Sequence, residues 1–414
     1  MAYIDPGTGS MLFTILIGLL STGAYKSKDL TMKAKMLVGG GKAKVDKDHF
    51  DFVIYSDHKR YWNVFEPVCD EFENRGLQIV YMTSSEDDPA LDKNYDHVTC
   101  EYIGEGNKAF ARLNRLKADI LLSTTPSLDV FNWKRSHNVK YYVHIPHAPS
   151  DLTLYRMFGI DFYDAILTSG DYHRDQIRAL EKARDLPEKE IIKTGLTYLD
   201  GMKKRLDIEG MTKGNKIRVL LAPSWGPNGI LSRFGSRIIE PLLKTDHEII
   251  IRPHPQSFTS EKDILDPLMD RYPESDRIHW NRDNDNFDVL KGSDIMISDF
   301  SGVIFDFCLV FDKPVIYTDA RFDMAPYDAC WLKEEPWTFR VLPRIGMKLT
   351  EDNLDNIGDL IEKCMKDPSF SEGREKSRQE TWANIGLSAG LVTDYLIDRR
   401  NRLVSEEGEE EIKQ

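Results

Sequence analysis

Residues 294–307 read DIMISDFSGVIFDF, and this stretch decides the class of fold. A short apolar run, Ile295 to Ile297, ends in the small and polar turn 298–302, and a second apolar run follows. A strand that stops at such a turn and continues as a helix is the repeating unit of an α/β sheet. The stretch therefore predicts alternating strands and helices, with polar turns at the carboxyl ends of the strands.

The same unit recurs along the chain. Short runs of β-branched and apolar residues are separated by helical lengths, which predicts parallel strands joined by right-handed crossovers. We predict an α/β fold of two doubly wound, Rossmann-like domains that face one another. The strand-like runs are 52–55, 78–82, 118–122, 139–143, 165–168 and 191–194 in the first half, and 217–221, 248–251, 294–297 and 313–317 in the second.

The length of 414 residues suits two domains with extensions. The polar stretch 206–214 is the predicted linker between them, and a helix is expected from about residue 374 to residue 400. The four predicted segments are a membrane-associated helix with a basic stretch (1–45), a first Rossmann-like domain (46–205), a second one (206–373), and a C-terminal helix with an acidic tail (374–414).

The N-terminal segment has the composition of a membrane anchor. It carries no charge from Gly7 to Tyr25, and six lysines follow between residues 26 and 44. Nineteen helical residues span about 28 Å, close to the hydrocarbon thickness of a bilayer. Positive charge after the apolar run predicts that the rest of the chain lies at the cytoplasmic face of the cell membrane. A helix lying along the membrane surface and a buried helix of a soluble protein are the alternatives.

Bulk charge and cysteine content exclude two classes of protein. The formal net charge is −13, which argues against a nucleic-acid partner because such partners require a basic surface. A small anionic ligand is still compatible, since a few local cations hold a phosphate. The five cysteines are widely spaced and contain no CxxC pair, which argues against a disulfide framework or a structural zinc site.

The tetrapeptide at 252–255, RPHP, follows a predicted strand. Its two prolines fix the backbone, so Arg252 and His254 extend from a rigid loop. An arginine and an imidazole at one strand end neutralise phosphate charge, and a cationic histidine can protonate a leaving oxygen. We expect a phosphate site here.

Two further strand ends carry small polar residues. Ser298, Asp299, Ser301 and Gly302 occupy the turn before a predicted helix, where unpaired backbone N–H groups bind anions. An ordinary helix N-cap explains the same turn equally well. Ser224 follows the strand before it and is expected to contact a nucleotide or its phosphates, although a packed turn is an equal alternative.

The first half ends one strand with two histidines, His144 and His147. Their spacing is compatible with metal ligation, but no third ligand lies nearby, so no metal is predicted. Proline residues flank the dipeptide of His147 and Ala148, which favours His147 as a general base for an acceptor hydroxyl. Asp151 is expected to orient that base, with His144 on the same side of the site.

With RPHP and ISDFSGVIFDF in this order, the chain resembles the teichoic-acid CDP-glycerol glycerophosphotransferase family, best from Tyr141 to Tyr317. The resemblance implies two domains of the type called GT-B. It implies CDP-glycerol or a related CDP-alditol as donor in the second domain, with release of CMP. The alditol phosphate would move to a hydroxyl of a cell-envelope glycopolymer or a lipid-linked acceptor.

The resemblance also implies roles for single residues. His254 would lie near the donor phosphates, Ser301 and Gly302 would hold the diphosphate, and His147 would act as base. The sequence departs from the family after His147, where APSDL stands in place of a glycine and a lysine. No cofactor is implied, because the arginine, the histidine and the helix N-terminus can neutralise the diphosphate.

Two other functions share this pattern. A UDP-N-acetylglucosamine 2-epimerase, or another GT-B glycosyltransferase, would use the same pair of α/β domains, but an epimerase would need neither acceptor nor membrane. A non-catalytic scaffold that binds a nucleotide sugar would explain the missing lysine after His147.

Overall fold

Short apolar runs form strands in this chain where helices cover both faces of a parallel sheet. Neighbouring residues of a strand point to opposite faces, and Ile295 and Met296 are both 0% exposed. All ten strand-like runs predicted from the sequence overlap strands of the structure.

The structure is a computed structural model that describes residues 49–212, 214–283, 285–299, 301–318 and 323–413, all within one compact unit. The strands of the first sheet are β1 (His49–Ser56), β2 (Ile79–Thr83), β3 (Val98–Tyr102), β4 (Lys117–Ser123), β5 (Val139–His144), β6 (Ala165–Thr168) and β7 (Glu190–Lys193). Those of the second sheet are β8 (Arg218–Ala222), β9 (Glu248–Ile251), β10 (Ile278–Trp280), β11 (Ile295–Ser298), β12 (Val315–Thr318) and β13 (Gly346–Leu349).

Both sheets have the doubly wound strand order. The first runs β3-β2-β1-β4-β5-β6-β7, and the second runs β10-β9-β8-β11-β12-β13. Every neighbouring pair is parallel. The strand order reverses between β1 and β4 and again between β8 and β11, and these are the two positions where such sheets open a ligand crevice.

Helices connect the strands and cover the sheets. The helices are α1 (Trp62–Asn74), α2 (Asn107–Leu113), α3 (Asp171–Arg184), α4 (Thr197–Glu209), α5 (Ile230–Phe234), α6 (Ser236–Leu243), α7 (Ser257–Ser260), α8 (Lys262–Arg271), α9 (Phe287–Gly292), α10 (Val303–Phe305), α11 (Trp337–Arg340), α12 (Leu342–Ile345), α13 (Ile357–Lys366), α14 (Pro368–Thr381) and α15 (Ser388–Lys413). A π-helical turn, Asp306–Val310, follows α10 directly.

The structure differs from the sequence-based expectation in several elements. Strands β3, β10 and β13 were not predicted. Helix α4 continues to Glu209, so the first four residues of the predicted linker 206–214 are helical. The helix expected over residues 374–400 is divided into α14 and α15. The boundaries between the four predicted segments stay predictions.

The predicted membrane-associated segment, residues 1–45, lies outside the described residues. Among the residues that the structure does describe, no helix combines the length and the apolar character required to cross a bilayer.

The C-terminal helices pack back on the first sheet through backbone contacts that require glycine. A methyl group on Gly170, which precedes α3, would overlap the carbonyl oxygen of Glu380 in α14. Nearby, Trp382 donates its indole N–H to Asp200 at 2.8 Å. The chain thus returns to the first half after completing the second.

We expect Gly170→Ala to lower the free energy of unfolding by about 1–3 kcal/mol, since the added methyl group meets rigid backbone. Gly201→Ala is the control. Gly201 lies inside α4, where a methyl group would meet Pro67 at 3.8 Å, an ordinary contact. Alanine there removes chain flexibility and is expected to add about 0.5–1 kcal/mol. Urea unfolding of both variants measures the difference, and equal midpoints would contradict this account.

Candidate active site between the two sheets

The polar motifs of the second half lie together because their strands are parallel neighbours. Strand β8 is the central member, with β9 on one side and β11 on the other. Their carboxyl ends therefore share one edge of the sheet. Ser224 follows β8, Arg252 and His254 follow β9, and Ser298 is the last residue of β11.

Asp299 binds the protein backbone. Its carboxylate is fully buried and accepts hydrogen bonds from the amide and hydroxyl of Ser224, at 3.0 and 2.5 Å. It also accepts from the amide of Ile230, the first residue of α5, at 3.0 Å. A buried carboxylate beside a diphosphate would repel it, so a phosphate site at this turn, which stays a prediction, would use other groups of the turn than this carboxylate. Its role is to hold the loop between β8 and α5.

Ser298 is a second internal link. Its hydroxyl donates to the carbonyl of Ala222 at 2.6 Å, and the residue is completely buried. Ser301 is partly exposed and Gly302 is exposed. A methyl group on Gly302 would meet no atom of the described residues within 4 Å, so there is room for a ligand beside this turn. Of the four predicted residues of the turn, Ser301 and Gly302 are the accessible ones.

Arg252 is held by the loop after β10. One guanidinium nitrogen, Nη1, donates to the side chain of Asn281 at 2.6 Å and to the carbonyl of Asp283 at 2.7 Å. Partial burial lowers the pKa of Arg252, and the carboxylate of Asp283 opposes that effect. The guanidinium is thus fixed in direction before any ligand binds, as a phosphate site requires.

His254 is half-buried beside Trp225, with the ring centroids 6.4 Å apart. The amide of Gln256 donates to its Nδ1 at 3.1 Å, which places the proton of the neutral imidazole on Nε2. Burial lowers the pKa of His254, and the positive charges of Arg60 and Arg252 act in the same direction. The ligand-free site therefore contains a neutral His254 with an N–H donor.

His147, in the first half, lies between two tyrosines. Its Nδ1 is 3.1 Å from the hydroxyl of Thr124 and 3.2 Å from that of Tyr155, and its ring lies 4.8 Å from that of Tyr61. Burial, together with the charge of Arg60, lowers its pKa to about 4. When Nδ1–H donates to one of these hydroxyls, Nε2 keeps a free lone pair and can act as a base.

His144 supports this arrangement from inside. It is 0% exposed, and its Nε2 lies 3.3 Å from the hydroxyl of Tyr155, which also contacts His147. Burial lowers its pKa to about 3, so it stays neutral. Its Nδ1 has no hydrogen-bond partner among the described residues. Tyr155 therefore links the two histidines.

Asp151 lies elsewhere. Its buried carboxylate accepts from the amides of Trp337 and Thr338, at 2.8 and 2.7 Å, and from the side chain of Gln176. The expectation that Asp151 orients His147 is corrected, because the hydrogen bonds of this carboxylate go to Trp337, Thr338 and Gln176 and not to the imidazole. The residues that contact the Nδ1 of His147 are Thr124 and Tyr155.

A possible metal ligand set lies at the other end of the first sheet. Within the described part of the chain, His49, Asp51 and Asp119 have donor atoms within 4.8 Å of one another. Lys140 and Arg400 already pair with Asp119, at 2.9 and 3.0 Å. The cluster is an ion-pair network at the start of β1, remote from the strand ends that carry the histidines.

Sequence reasoning missed Arg60, Tyr61, Thr124 and Tyr155. Arg60 and Tyr61 follow β1, and Thr124 follows β4, the two strands that flank the reversal of order in the first sheet. Their position at strand ends was a usable signal. Tyr155 gives no such signal, because its contact depends on the path of the chain after β5.

Comparisons with known proteins agree with the motifs. A family model described as CDP-glycerol:poly(glycerophosphate) glycerophosphotransferase matches residues 158–330. This region contains RPHP and the turn 298–302, whereas His147 lies before it. A search of curated protein sequences finds no match.

Solved structures establish the fold. The wall teichoic acid polymerase TagF aligns with a TM-score of 0.52 and 13% identity, over 85% of this chain and 89% of that one. A UDP-N-acetylglucosamine 2-epimerase from Neisseria meningitidis aligns with a TM-score of 0.55 and 13% identity, over 84% and 100%. MnaA from S. aureus aligns with a TM-score of 0.57 and 13% identity, over 82% of this chain and 94% of that one.

At these identities the structures show a shared GT-B-like fold with parallel sheets in two domains, and nothing about chemistry. The family model is more specific, because transferases and epimerases share the fold. Over residues 158–330, therefore, the resemblance of this chain to the CDP-glycerol glycerophosphotransferase family is confirmed.

Proposed function

We propose that this protein transfers glycerol phosphate, or a related alditol phosphate, from CDP-glycerol to a hydroxyl of a cell-envelope glycopolymer or a lipid-linked precursor, and releases CMP. The observation that carries the proposal is the family match over residues 158–330, which contains the motif of Arg252 and His254. Further support comes from the geometry of the second sheet, where that motif and Ser301 follow strands on either side of β8.

The donor half of the site would work by electrostatic complementarity. Arg252 presents a guanidinium fixed through Nη1, and His254 presents an Nε2–H donor. An incoming diphosphate favours the protonated form of His254, since an adjacent anion raises the pKa of an imidazole. Donor binding would therefore charge His254, which could then protonate the oxygen that leaves with CMP.

The acceptor half would use His147. The acceptor oxygen attacks the phosphorus that bears the alditol, the bond from that phosphorus to the CMP oxygen breaks, and Nε2 of His147 takes the hydroxyl proton. With Nδ1–H donating to Tyr155, and the hydroxyl of Tyr155 donating to His144, the imidazolium that forms keeps a hydrogen-bonded partner. Tyr155 is a positioning residue in this scheme.

The direct test incubates the purified protein with CDP-glycerol, CDP-ribitol or UDP-N-acetylglucosamine, with and without membranes, and follows CMP release. CMP release that depends on an acceptor-containing membrane is the expected result. Formation of a C2-epimerised sugar would replace the proposal with the epimerase. Binding of a CDP-alditol without turnover would favour the scaffold.

His254→Ala should reduce the rate of CMP release about 10²–10⁴-fold, the usual contribution of a general acid or base. His279→Ala is a matched control, because His279 is exposed on β10 and contacts Glu274 at 3.4 Å. Circular dichroism checks that both variants fold. A His254→Ala rate equal to that of the control would remove this residue from the mechanism.

The acid limb of kcat/KM should lie well below pH 6.5. The base must be neutral, and burial with the charge of Arg60 lowers the pKa of His147 to about 4, so activity falls only as pH approaches that value. The pKa values of His144, His147 and His173 are lowered in the folded protein, so below about pH 6.5 the unfolded chain binds more protons than the folded one. The free energy of unfolding therefore decreases as the pH falls below that value. Folded fraction is therefore measured at each pH, and an acid limb at 6.5 in fully folded protein would contradict the assignment.

We further propose that the uncharged segment 7–25 attaches the protein to the cytoplasmic face of the membrane. Deletion of residues 1–25 should move the protein from the pelleted vesicle fraction to the supernatant. Neutralising the six lysines between residues 26 and 44 measures the electrostatic contribution to binding. A high-salt wash measures the other contribution, because salt releases a protein held only by charge and does not release an inserted helix. Unchanged sedimentation of the deletion variant would refute the anchor.

A further inference from the structure

Arg60 lies at the one strand reversal that the proposed mechanism leaves unused. It belongs to the short 3-10 turn Lys59–Tyr61, which begins three residues after β1 ends at Ser56. Strand order in the first sheet reverses between β1 and β4. Loops at such a reversal line the ligand crevice of doubly wound sheets, so Arg60 occupies a ligand-binding position by topology.

The side chain of Arg60 is exposed and rests on an aromatic neighbour of the base. Its guanidinium carbon lies 5.3 Å from the ring centroid of Tyr61, and that ring lies 4.8 Å from the ring of His147. Aromatic contact of this kind attracts a guanidinium to the ring without using its hydrogen-bond donors. Arg60 is thus placed beside the acceptor base with its donors available.

Among the described residues, Arg60 has no ion-pair partner, whereas the lysine next to it does. Lys59 forms an ion pair with Asp87, and Asp57 accepts a hydrogen bond from Thr125 at 3.0 Å. Across the residues that the structure describes, no carboxylate lies within ion-pair distance of Arg60. An unpaired arginine in a protein of net charge −13 is a candidate to bind an anionic ligand.

The charge of Arg60 affects a histidine on each side of the site. It lowers the pKa of His147, after burial, and it is also a cause of the lowered pKa of His254. His147 follows β5 of the first sheet and His254 follows β9 of the second. Both imidazoles therefore lie within the electrostatic reach of one guanidinium, which lies on the first-sheet side.

We propose that Arg60 is an anion-binding residue that contacts the phosphoryl group in transfer from the side of the first sheet, opposite Arg252. This inference rests on the proposed function and adds a third cation to it. Arg60 forms and breaks no bond: the acceptor oxygen bonds to phosphorus, the CMP oxygen leaves, and the proton passes to His147. The guanidinium stabilises the charge that develops on the non-bridging phosphoryl oxygens.

The test compares Arg60→Ala and Arg60→Lys with the control Lys59→Ala, whose side chain lies in the same turn and pairs with Asp87. We expect Arg60→Ala to lower kcat about 10²-fold with little change in the KM for the donor, and Arg60→Lys to recover part of that loss. Removing the charge should also move the acid limb of the pH profile to higher pH in Arg60→Ala but not in Arg60→Lys, which keeps the charge.

Titration with inorganic pyrophosphate makes the test independent of turnover. Arg60→Ala should weaken binding about tenfold and reduce its dependence on salt, whereas Lys59→Ala should leave both unchanged. If the wild-type protein releases no CMP but pyrophosphate binding still depends on Arg60, the transferase proposal fails and the anion-binding residue stands. If the wild-type protein turns over and Arg60→Ala matches Lys59→Ala in rate, pH profile and pyrophosphate affinity, the role of Arg60 is refuted.

Discussion

The candidate site depends on a buried carboxylate that binds backbone. Asp299 accepts hydrogen bonds from the amides of Ser224 and Ile230, so the end of β11, the loop after β8 and the start of α5 are held by one side chain. A buried carboxylate is stable only when several donors surround it, and removing a donor leaves a charge without compensation. The shape of the loops at the carboxyl ends of the second sheet is therefore set by a requirement of Asp299.

Two more buried aspartates extend the same principle across the sheets. Asp151 accepts from the amides of Trp337 and Thr338, and Asp328 accepts from those of Phe158 and Gly159, at 2.8 and 3.0 Å. Each carboxylate belongs to one half of the chain and its amide partners to the other. The segment 151–159 is consequently held at both ends by the second half.

Tyr155 lies in the middle of that segment, and its own carbonyl accepts from the amide of Asp328 at 3.0 Å. Its hydroxyl contacts Nδ1 of His147. The position of the candidate base in the first half thus depends on contacts made by the second half. Tyr155 therefore connects the second half of the chain to the candidate base.

The dependence of the site on contacts between distant segments explains which parts of the structure could be predicted from the sequence. Runs of buried β-branched residues reveal central strands, and polar residues after them reveal the edge where chemistry occurs. Strand β13 reads GMKL, so it lacks the apolar run that marks the central strands. An aspartate beside a histidine looks the same in sequence whether it orients the ring or binds a distant amide. Asp151 was misinterpreted for that reason, since Thr338 is 187 residues away.

Burial, nearby arginines and the donor together set the protonation states of the two histidines. Burial and nearby arginines keep His147 and His254 neutral in the absence of ligand, so the free site holds guanidinium charge and neutral imidazoles. A diphosphate donor reverses the balance, because its negative charge compensates the arginines and raises the pKa of the imidazoles it approaches. A general acid must be protonated before it reacts, so it requires that rise in pKa. A general base must start neutral, so it requires a smaller rise. Since His254 would lie beside the diphosphate and His147 beside the acceptor, one binding event would separate their pKa values and divide the two roles between histidines that are both neutral in the free protein.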